Sequence, residues 1–370
     1  MGNMIENIYI HIPFCLQKCN YCSFVSFDGH KNKEKDYINS LIKEIKYFSN
    51  KKNIIKTVYF GGGTPNILEI ENFKNIITAL NSAFNIAENA EITTEINPAI
   101  SSAKYFKELK RLGINRISVG SQTFNDDILK NLGRKHNAKQ TTETVEALKD
   151  CGFNNISVDL MYGLPNQTME ILQRDLDIIK SLDINHVSTY GLKIEEGCAF
   201  YSNMPDNLPD DDKQEEFYLK IVDELTQAGF EHYEISNFAK KGFESKHNNC
   251  YWEAKEYYGF GLAAHSYMNK TRYSNEIDLE MYINNPLTKI TERKITKGDE
   301  LEESIFLGFR LKKGIDIKAF NEKFGKDFMQ DYKKQIEKLV ELDLMKVAKD
   351  RVFLTTKGFL LSNSVISEFL

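Results

Sequence analysis

The stretch NIYIHIPFCLQKCNYCSF, residues 7–24, combines the two features that decide the fold. Its first part, Asn7–Ile12, is mostly apolar and predicts a short β-strand. Directly after it, Cys15, Cys19 and Cys22 form the pattern C-x3-C-x2-C, so three of the chain's six cysteines lie within eight residues. Thiols this close in sequence predict a metal site in the loop that follows the strand.

Two kinds of metal site are compatible with this spacing. A structural zinc site needs four ligands, and His11 or His30 is available as the fourth. A 4Fe-4S cluster normally takes four cysteines, but no fourth cysteine follows at a matching spacing. Three thiolates would leave one iron of such a cluster without a protein ligand, and that iron could bind a small molecule directly.

The first two thirds of the chain predict about six strand-then-helix units. Strands that alternate with helices indicate a parallel sheet, and six units predict a barrel or an open part of one. The cysteine loop would then lie at the carboxyl end of the first strand, where such barrels place their active sites. The predicted strands are Asn7–Ile12, Thr57–Phe60, Glu91–Ile96, Arg116–Val119, Ile156–Met161 and His186–Leu192. The predicted helices are Lys33–Ser49, Glu69–Phe84, Ala103–Leu112, Thr141–Cys151 and Met169–Leu182.

Glycines and polar residues follow these strands at the same edge of the sheet. The second strand runs into the segment GGGTP, residues 61–65, whose glycines allow a backbone to approach a ligand closely. Glu95, Gln122, Arg134 and Asp159 stand at or just past the ends of later strands, or inside one. Each could be a helix cap or a surface charge. Together they predict a ligand site with carboxylate acceptors and an arginine suited to a carboxylate.

Six motifs together resemble one protein family. They are YIHIPFCLQKCNYCSF, FGGGTP, EINP, ISVGSQTF, LGRKH and DLMYGLPNQT. The chain resembles the radical S-adenosylmethionine (SAM) superfamily, in its coproporphyrinogen-oxidase-like branch, over essentially its whole length. The resemblance implies a 4Fe-4S cluster on Cys15, Cys19 and Cys22 with SAM bound to the open iron. It also implies the SAM-contacting positions, which are Tyr9, Tyr21, Gly62, Gly63, Thr64, Glu95, Gln122, Arg134 and Asp159.

The branch contains oxygen-independent coproporphyrinogen III oxidases and HemW-type heme chaperones, and three features favour the chaperones. The oxidase pattern carries a further cysteine where this chain has Phe24, and the oxidases have a longer segment before the cluster than the 14 residues found here. The segment HNNCYW, residues 247–252, matches the chaperone pattern H-N-x-x-Y-W. We therefore expect a heme chaperone without coproporphyrinogen oxidase activity.

Heme binding is expected in this segment. His247 is suited to be an axial ligand of heme iron, with Tyr251 and Trp252 against the porphyrin. Cys250 and His265 are rival ligands, and a core role for the aromatic residues is the alternative. Cys151 and Cys198, by contrast, are expected to be ordinary small residues.

Composition limits the remaining classes of function. The chain has 370 residues, 41% hydrophobic and 27% charged, which is typical of a globular protein. Its net charge of −5 argues against a large nucleic-acid-binding surface. The sequence shows neither a signal-peptide pattern nor a membrane-spanning apolar run, so we expect a cytoplasmic protein.

Three domains are expected: a radical SAM partial (β/α)6 TIM-like barrel over residues 1–200, an extension carrying the H-N-x-x-Y-W segment over 201–290, and a winged-helix-like α+β module over 291–370. The last prediction rests on helices at Glu303–Arg310, Ile317–Phe324 and Phe328–Leu342, followed by a hairpin. Such modules often bind nucleic acid, which is a third and weaker hypothesis. The expected partners are heme and heme-accepting proteins such as respiratory hemoproteins. A membrane-associated acceptor and an oligomeric state are compatible with the sequence.

Overall fold

A computed structural model describes residues 4–100 and 102–370. The chain divides into two compact units, one running to Phe217 and resuming over Glu256–Lys294, the other formed by Tyr218–Lys255 and Ile295–Leu370. This division differs from the three-domain prediction, because the expected middle segment, 201–290, is shared between the two units. Among the described helices, none is both long enough and apolar enough to cross a membrane.

The first unit begins with the predicted succession of strands and helices. Its elements are β1 (Asn7–Ile12), β2 (Phe14–Cys15), β3 (Phe27–Asp28), α1 (Glu34–Tyr47), β4 (Ile54–Gly62), α2 (Ile70–Ala83), β5 (Asn85–Ile96), α3 (Ala103–Arg111), β6 (Arg116–Gln122), α4 (Asp126–Asn131), α5 (Ala138–Asp150), β7 (Ile156–Tyr162), α6 (Met169–Ser181), β8 (His186–Gly191) and α7 (Ala199–Ser202). Single 3-10 turns occupy Lys31–Lys33, Pro65–Ile67 and Pro98–Ile100.

The parallel sheet confirms the predicted α/β class. Strands β1, β4, β5, β6, β7 and β8 lie side by side in chain order, and each pairs with the next in parallel. This is the expected partial barrel of six β/α units. All the carboxyl ends of these strands therefore meet at one edge of the sheet, which is where the cysteine loop begins.

Helix boundaries follow local capping signals. Helix α5 begins earlier than predicted because Asn137 and Gln140 form a capping box at its start. The same helix ends at Asp150, and Gly152 then adopts a left-handed backbone with φ of +84°, which is typical of a residue that stops a helix. The sequence thus predicted this helix, and the capping box set its start.

The two faces of the parallel strands differ in polarity. Every second residue of a strand, such as Ile10, Phe60 and Val158, is fully buried and apolar, and the centroid of the Phe60 ring lies 4.6 Å from that of Phe73 on α2. The residues between them are mostly polar and lie on the opposite face, where Ser118 bonds to Asp159 across two strands. The inner face is therefore polar, unlike the branched apolar layers that fill a closed TIM barrel.

The chain continues through α8 (Asp211–Gln227), β9 (Glu231–Glu234), β10 (Asn237–Ala239) and α9 (Lys246–Trp252). It then returns to the first unit with β11 (Tyr258–Phe260), β12 (His265–Met268), β13 (Thr271–Asn275), α10 (Leu279–Asn284) and β14 (Lys289–Lys294). Strand β11 pairs in parallel with the free side of β1. Strands β12, β13 and β14 form an antiparallel sheet.

The segment of β11 needs its two glycines. A Cβ on Gly259 would lie 1.8 Å from the carbonyl oxygen of His265. Gly261 has φ of +101°, and a Cβ there would lie 2.5 Å from the Tyr37 hydroxyl oxygen. The motif Y-G-F-G thus has a structural reason, because the backbone passes too close to its neighbours for any side chain at these two positions.

The C-terminal elements contain the predicted helices and hairpin. They are α11 (Lys297–Gly308), β15 (Ile315–Asp316), α12 (Ile317–Phe324), α13 (Phe328–Asp331), α14 (Lys333–Glu341), β16 (Met345–Ala348), β17 (Arg351–Leu354), α15 (Thr356–Leu360) and α16 (Ser362–Ser367). The predicted helix Phe328–Leu342 is interrupted at Tyr332, whose backbone leaves the helical region. Strands β15, β17 and β16 form a small antiparallel sheet, as in a winged-helix-like module.

A buried carboxylate ties α1 to the later part of the first unit. Glu44 has 0% exposure and accepts hydrogen bonds from the Gly261 amide at 2.8 Å, Asn275 at 2.7 Å and the Tyr282 hydroxyl at 2.8 Å. Its other contact is an ion pair with Lys289 at 3.1 Å. Removal of one partner from such a buried network leaves the others unpaired.

Glu44→Ala should lower the free energy of unfolding by about 3 kcal/mol, because it strands the Lys289 ammonium and several donors in the interior. Urea titration followed by circular dichroism measures this change. Glu71→Ala is the matched control, since Glu71 is exposed on α2 and pairs only with Lys74; its effect should stay within about 0.5 kcal/mol. Equal stabilities of the two variants would contradict the prediction.

Candidate functional site

The three cysteines lie in the loop between β1 and α1. Residues Phe14–Cys15 pair in parallel with Phe27–Asp28, which folds the intervening residues into one loop. His11 on β1 supports this loop, because its Nε2 lies 2.8 Å from the carbonyl oxygen of Val25 while its Nδ1 bonds to the Tyr9 hydroxyl at 3.0 Å. His30 instead bonds to the carbonyl of Asp28. Both candidate zinc histidines thus have other contacts.

The glycine turn after β4 lies directly against the cysteine loop. The amides of Gly63 and Thr64 donate to the carbonyls of Ile12 and Phe14, each at 2.8 Å. A Cβ on Gly63 would lie 2.7 Å from the Phe14 carbonyl oxygen and 3.0 Å from the Cys15 sulfur. The Thr64 hydroxyl lies 3.5 Å from that sulfur. Gly63 and Thr64 therefore lie beside the first cysteine.

Gly62 also fixes the position of the glycine turn, through contacts with His11 and Glu95. Its φ is +113°, and a Cβ would lie 2.6 Å from the ring of His11. Its backbone N–H is donated to the carboxylate of Glu95. The glycine turn is thus held between the β1 side chain and the end of β5, so any larger residue at position 62 would displace the turn.

Arg134 and Gln122 converge on the other side of the loop. The Arg134 Nη2 atom donates to the Gly120 carbonyl at 2.7 Å, and its Nη1 atom lies 3.5 Å from the Cys19 sulfur. A Cβ on Gly120 would lie 3.1 Å from the Gln122 side-chain nitrogen and 3.4 Å from Arg134 Nη2. Both side chains therefore cross Gly120, and one of them reaches the cysteine loop.

Glu95 and Asp159 occupy the polar inner face of the strands. Burial and the charge of Asp159 raise the pKa of Glu95 to about 7, and the hydrogen bonds from Tyr59 and Gly62 oppose that rise. Burial also raises the pKa of Asp159, although Ser118 donates to it at 3.0 Å. Arg116 lowers both pKa values through its charge. The two carboxylates therefore repel each other inside a shared polar face.

The two predicted tyrosines, Tyr9 and Tyr21, contact the surroundings of the site. Tyr9 stacks on Tyr59 with ring centroids 6.2 Å apart, and Tyr59 donates to Glu95 at 2.9 Å. Tyr21 packs against an apolar cluster that includes Leu132 and Phe200. The structure thus brings the predicted residues into two neighbouring groups, one around the cysteine loop and one around Glu95.

Three residues that surround Glu95 and Asp159 were not predicted from the sequence. Tyr59 bonds to Glu95, Ser118 bonds to Asp159, and Arg116 is buried with an Nε atom that has no hydrogen-bond partner. Each is a polar residue whose neighbours on either side in the strand, such as Ile117 and Val119 around Ser118, are mostly apolar. That alternation was the available signal, and it identifies the polar inner face.

Comparison with known proteins identifies the family. Residues 9–179 match the Radical SAM superfamily, and residues 295–361 match the HemN C-terminal domain. The chain is 39% identical to heme chaperone HemW of Lactococcus lactis subsp. lactis (strain IL1403), with 99% of this chain and 97% of that protein covered. It is 36% identical to heme chaperone HemW of Bacillus subtilis (strain 168), with 99% of each covered.

The chain belongs to the HemW family of radical SAM proteins. Its fold is similar to that of coproporphyrinogen III oxidase (HemN) from Escherichia coli, with a TM-score of 0.88 over 99% of this chain and 90% of that chain. The sequence identity to that structure is 20%, so the likeness concerns the fold alone. Membership confirms the expected family and its cofactors, a 4Fe-4S cluster and SAM.

The donor set of this HemW-family chain fits a four-iron cluster. Among the described residues, no three His, Cys, Asp or Glu side chains converge as ligands of one ion. The three thiols lie in one loop, with Thr64 beside Cys15 and Arg134 beside Cys19, and would supply three ligands of such a cluster. Burial raises the pKa of the Cys22 thiol to about 11; metal binding would release that proton. Arg134 places a guanidinium donor 3.5 Å from the Cys19 sulfur, and this donor would stabilise the sulfur as a ligand.

Replacement of any one of Cys15, Cys19 and Cys22 by Ala should abolish the cluster. The loop supplies three thiolates for four irons, so the loss of one leaves two irons without a protein ligand. Wild-type protein reconstituted anaerobically should hold about four irons per chain. Iron analysis and the visible absorbance of the cluster measure the loss. Cys151→Ala is the control and should retain full iron. Stoichiometric zinc without iron in the wild-type protein would contradict the cluster.

SAM affinity should depend on the ionisation of Glu95. Because SAM carries positive charge, the ionised carboxylate favours binding, and protonation weakens it as the pH falls through the pKa of about 7. If only the ionised form binds, affinity should fall about tenfold between roughly pH 8 and pH 6. Anaerobic calorimetry measures this profile. Glu95→Gln should bind weakly with a flatter profile, and a flat wild-type profile would refute the role of Glu95.

Proposed function

We propose that this chain is a heme chaperone that holds a 4Fe-4S cluster, SAM and heme and delivers heme to acceptor proteins. The observation that carries the proposal is its 39% identity over nearly the full length to a protein named heme chaperone HemW. The segment HNNCYW, residues 247–252, supplies side chains suited to heme. Its role is separate from that of the cysteine loop, because the two use different residues.

The heme-binding segment forms α9. His247 has 1% exposure, and its Nε2 atom lies 2.7 Å from the Tyr251 hydroxyl, one helical turn later. Their rings meet edge to face with centroids 5.0 Å apart. Ligation of heme iron by Nε2 therefore requires the Tyr251 hydroxyl to move away. The pair supports a proposal in which Tyr251 covers the imidazole until heme binds.

Trp252 offers a partly exposed aromatic surface beside a cation. Its ring lies under the Arg310 guanidinium, 5.9 Å from ring centroid to the guanidinium carbon, and Phe306 lies on Arg310 at 4.4 Å. A porphyrin carries carboxylate side chains on an aromatic plane, so a guanidinium flanked by aromatic rings suits it. The two alternatives to His247 as a ligand of heme iron differ in their exposure to solvent, since Cys250 is buried and His265 is exposed.

Phe24 supports the chaperone over the oxidase. It stands where the oxidase pattern carries a further cysteine, and its side chain is 68% exposed. The cysteine loop therefore offers an apolar side chain there instead of a thiol. We propose that coproporphyrinogen III is not decarboxylated by this protein.

The proposed partners are heme and heme-accepting proteins such as respiratory hemoproteins, and a membrane-associated acceptor is compatible with this role. We propose that this delivery takes place in the cytoplasm, and an oligomeric protein is compatible with it. Nucleic acid is not a proposed partner, because Lys313 pairs with Glu253 at 2.9 Å and Lys333 lies 3.9 Å from Glu337. These carboxylates offset the positive charge that nucleic-acid binding would need.

Titration with heme tests the proposal. Purified protein should develop a Soret band, and coproporphyrinogen III with SAM should give no decarboxylated product. His247→Ala should weaken heme binding about tenfold or more, because an axial ligand is lost, while iron–sulfur absorbance stays intact. Tyr251→Phe is the matched variant: it removes the hydroxyl that covers Nε2, so it should bind heme at least as tightly as wild type.

Two outcomes would change the assignment. Turnover of coproporphyrinogen III would favour the oxidase. Unchanged heme affinity in His247→Ala would retain the chaperone and remove this ligand, and the same titration of His265→Ala and Cys250→Ala would then test the rivals.

A further inference from the structure

Asp175 on α6 is a buried carboxylate that lies next to the SAM-contacting edge without belonging to it. It has 1% exposure. One of its oxygens accepts the Thr123 hydroxyl and the other accepts the Phe124 backbone N–H, both at 2.7 Å. Hydrogen bonds this short to a carboxylate are among the stronger ones in proteins. The side chain thus holds the backbone that directly follows Gln122.

That backbone is in a conformation that needs support. Gln122 has φ of +72°, which is uncommon for a residue with a Cβ. The register between β6 and β7 also shifts between Gly120 and Gln122. Such a conformation is strained for a residue with a Cβ and persists only where surrounding contacts enforce it. The hydrogen bonds from Thr123 and Phe124 to Asp175 hold the backbone directly after Gln122 and so support this conformation.

The other side of the same turn is held by the LGRKH segment. Arg134 donates to the Gly120 carbonyl at 2.7 Å, and His136 Nε2 lies 3.2 Å from the Ser121 carbonyl oxygen. Residues 120–124 are therefore bound by side chains from both directions. Through Gly120, the position of this turn also sets the position of Arg134, whose other end lies 3.5 Å from the Cys19 sulfur.

We propose that Asp175 is a positioning residue for SAM binding. It holds the turn at residues 122–124 so that the Gln122 side chain and the Arg134 guanidinium stay aligned over Gly120. This inference rests on the assignment of Gln122 and Arg134 to the SAM site. Asp175 itself touches neither the cysteines nor, in this arrangement, SAM.

Three variants in reconstituted full-length protein test the role. Asp175→Ala removes both acceptors, so it should weaken SAM binding about tenfold, the equivalent of one charged hydrogen bond. Asp175→Asn keeps an acceptor for Phe124 and should bind within about threefold of wild type. Asp177→Ala on the same helix is the matched control, because the Asp177 side chain is 56% exposed and bonds to Lys180 and Gln173 on the helix surface.

The readouts separate positioning from a general loss of structure. SAM affinity is measured by anaerobic calorimetry, and the electron paramagnetic resonance of the reduced cluster is recorded with and without SAM. Asp175→Ala should keep full iron content and helicity, while the spectral change on SAM addition requires higher SAM concentrations. Wild-type SAM affinity in Asp175→Ala would overturn the proposal, and so would a loss of iron parallel to the loss of SAM binding.

A second variant decides the case if Asp175→Ala does not fold. Thr123→Val removes one of the two bonds and leaves the Phe124 amide paired with Asp175. It should lower SAM affinity about threefold with full iron content, and an unchanged affinity would overturn the proposal. If the wild-type protein fails to bind SAM at all, the assignment of the SAM site fails instead, so the two failures are distinguishable.

Discussion

The close approach of two backbones, the glycine turn after β4 and the cysteine loop after β1, is the constraint on which the site depends. Gly63 and Thr64 donate to the carbonyls of Ile12 and Phe14, and no side chain fits at Gly63 beside the Cys15 sulfur. The parallel pairing of β1 with β4 brings these two segments to the same height. The first part of the cysteine loop is thereby held against the sheet edge.

The polar inner face of the sheet carries buried charges of both signs. Two buried carboxylates, Glu95 and Asp159, share this face with Arg116, which offsets their charge only in part. Burial, together with the charge of Asp159, raises the pKa of Glu95 to about 7, so a cation bound nearby would favour its ionised form. The same arrangement would be costly in a closed apolar barrel, which explains why this sheet is polar on its inner side.

The parts of the chain that distinguish this family have separate physical tasks. The Y-G-F-G segment adds a strand to the free side of β1 and is tied to α1 through Glu44. The H-N-x-x-Y-W segment instead forms a short helix in which one side chain covers another. One stabilises the strand that precedes the cysteines, and the other supplies the proposed heme ligand. Neighbouring motifs in the sequence therefore serve different purposes.

The sequence by itself determined the cysteine pattern, the six β/α units and the polar residues at the strand ends, because these are local spacings and periodicities. It also identified the family. Only the tertiary structure decided that Tyr251 covers His247, that β11 pairs with β1, and that Asp175 holds the turn after Gln122. Each of these depends on a contact whose geometry no local pattern encodes: a hydroxyl at a ring nitrogen, a strand edge some 250 residues away in the chain, and a carboxylate about 50 residues further along the chain on α6.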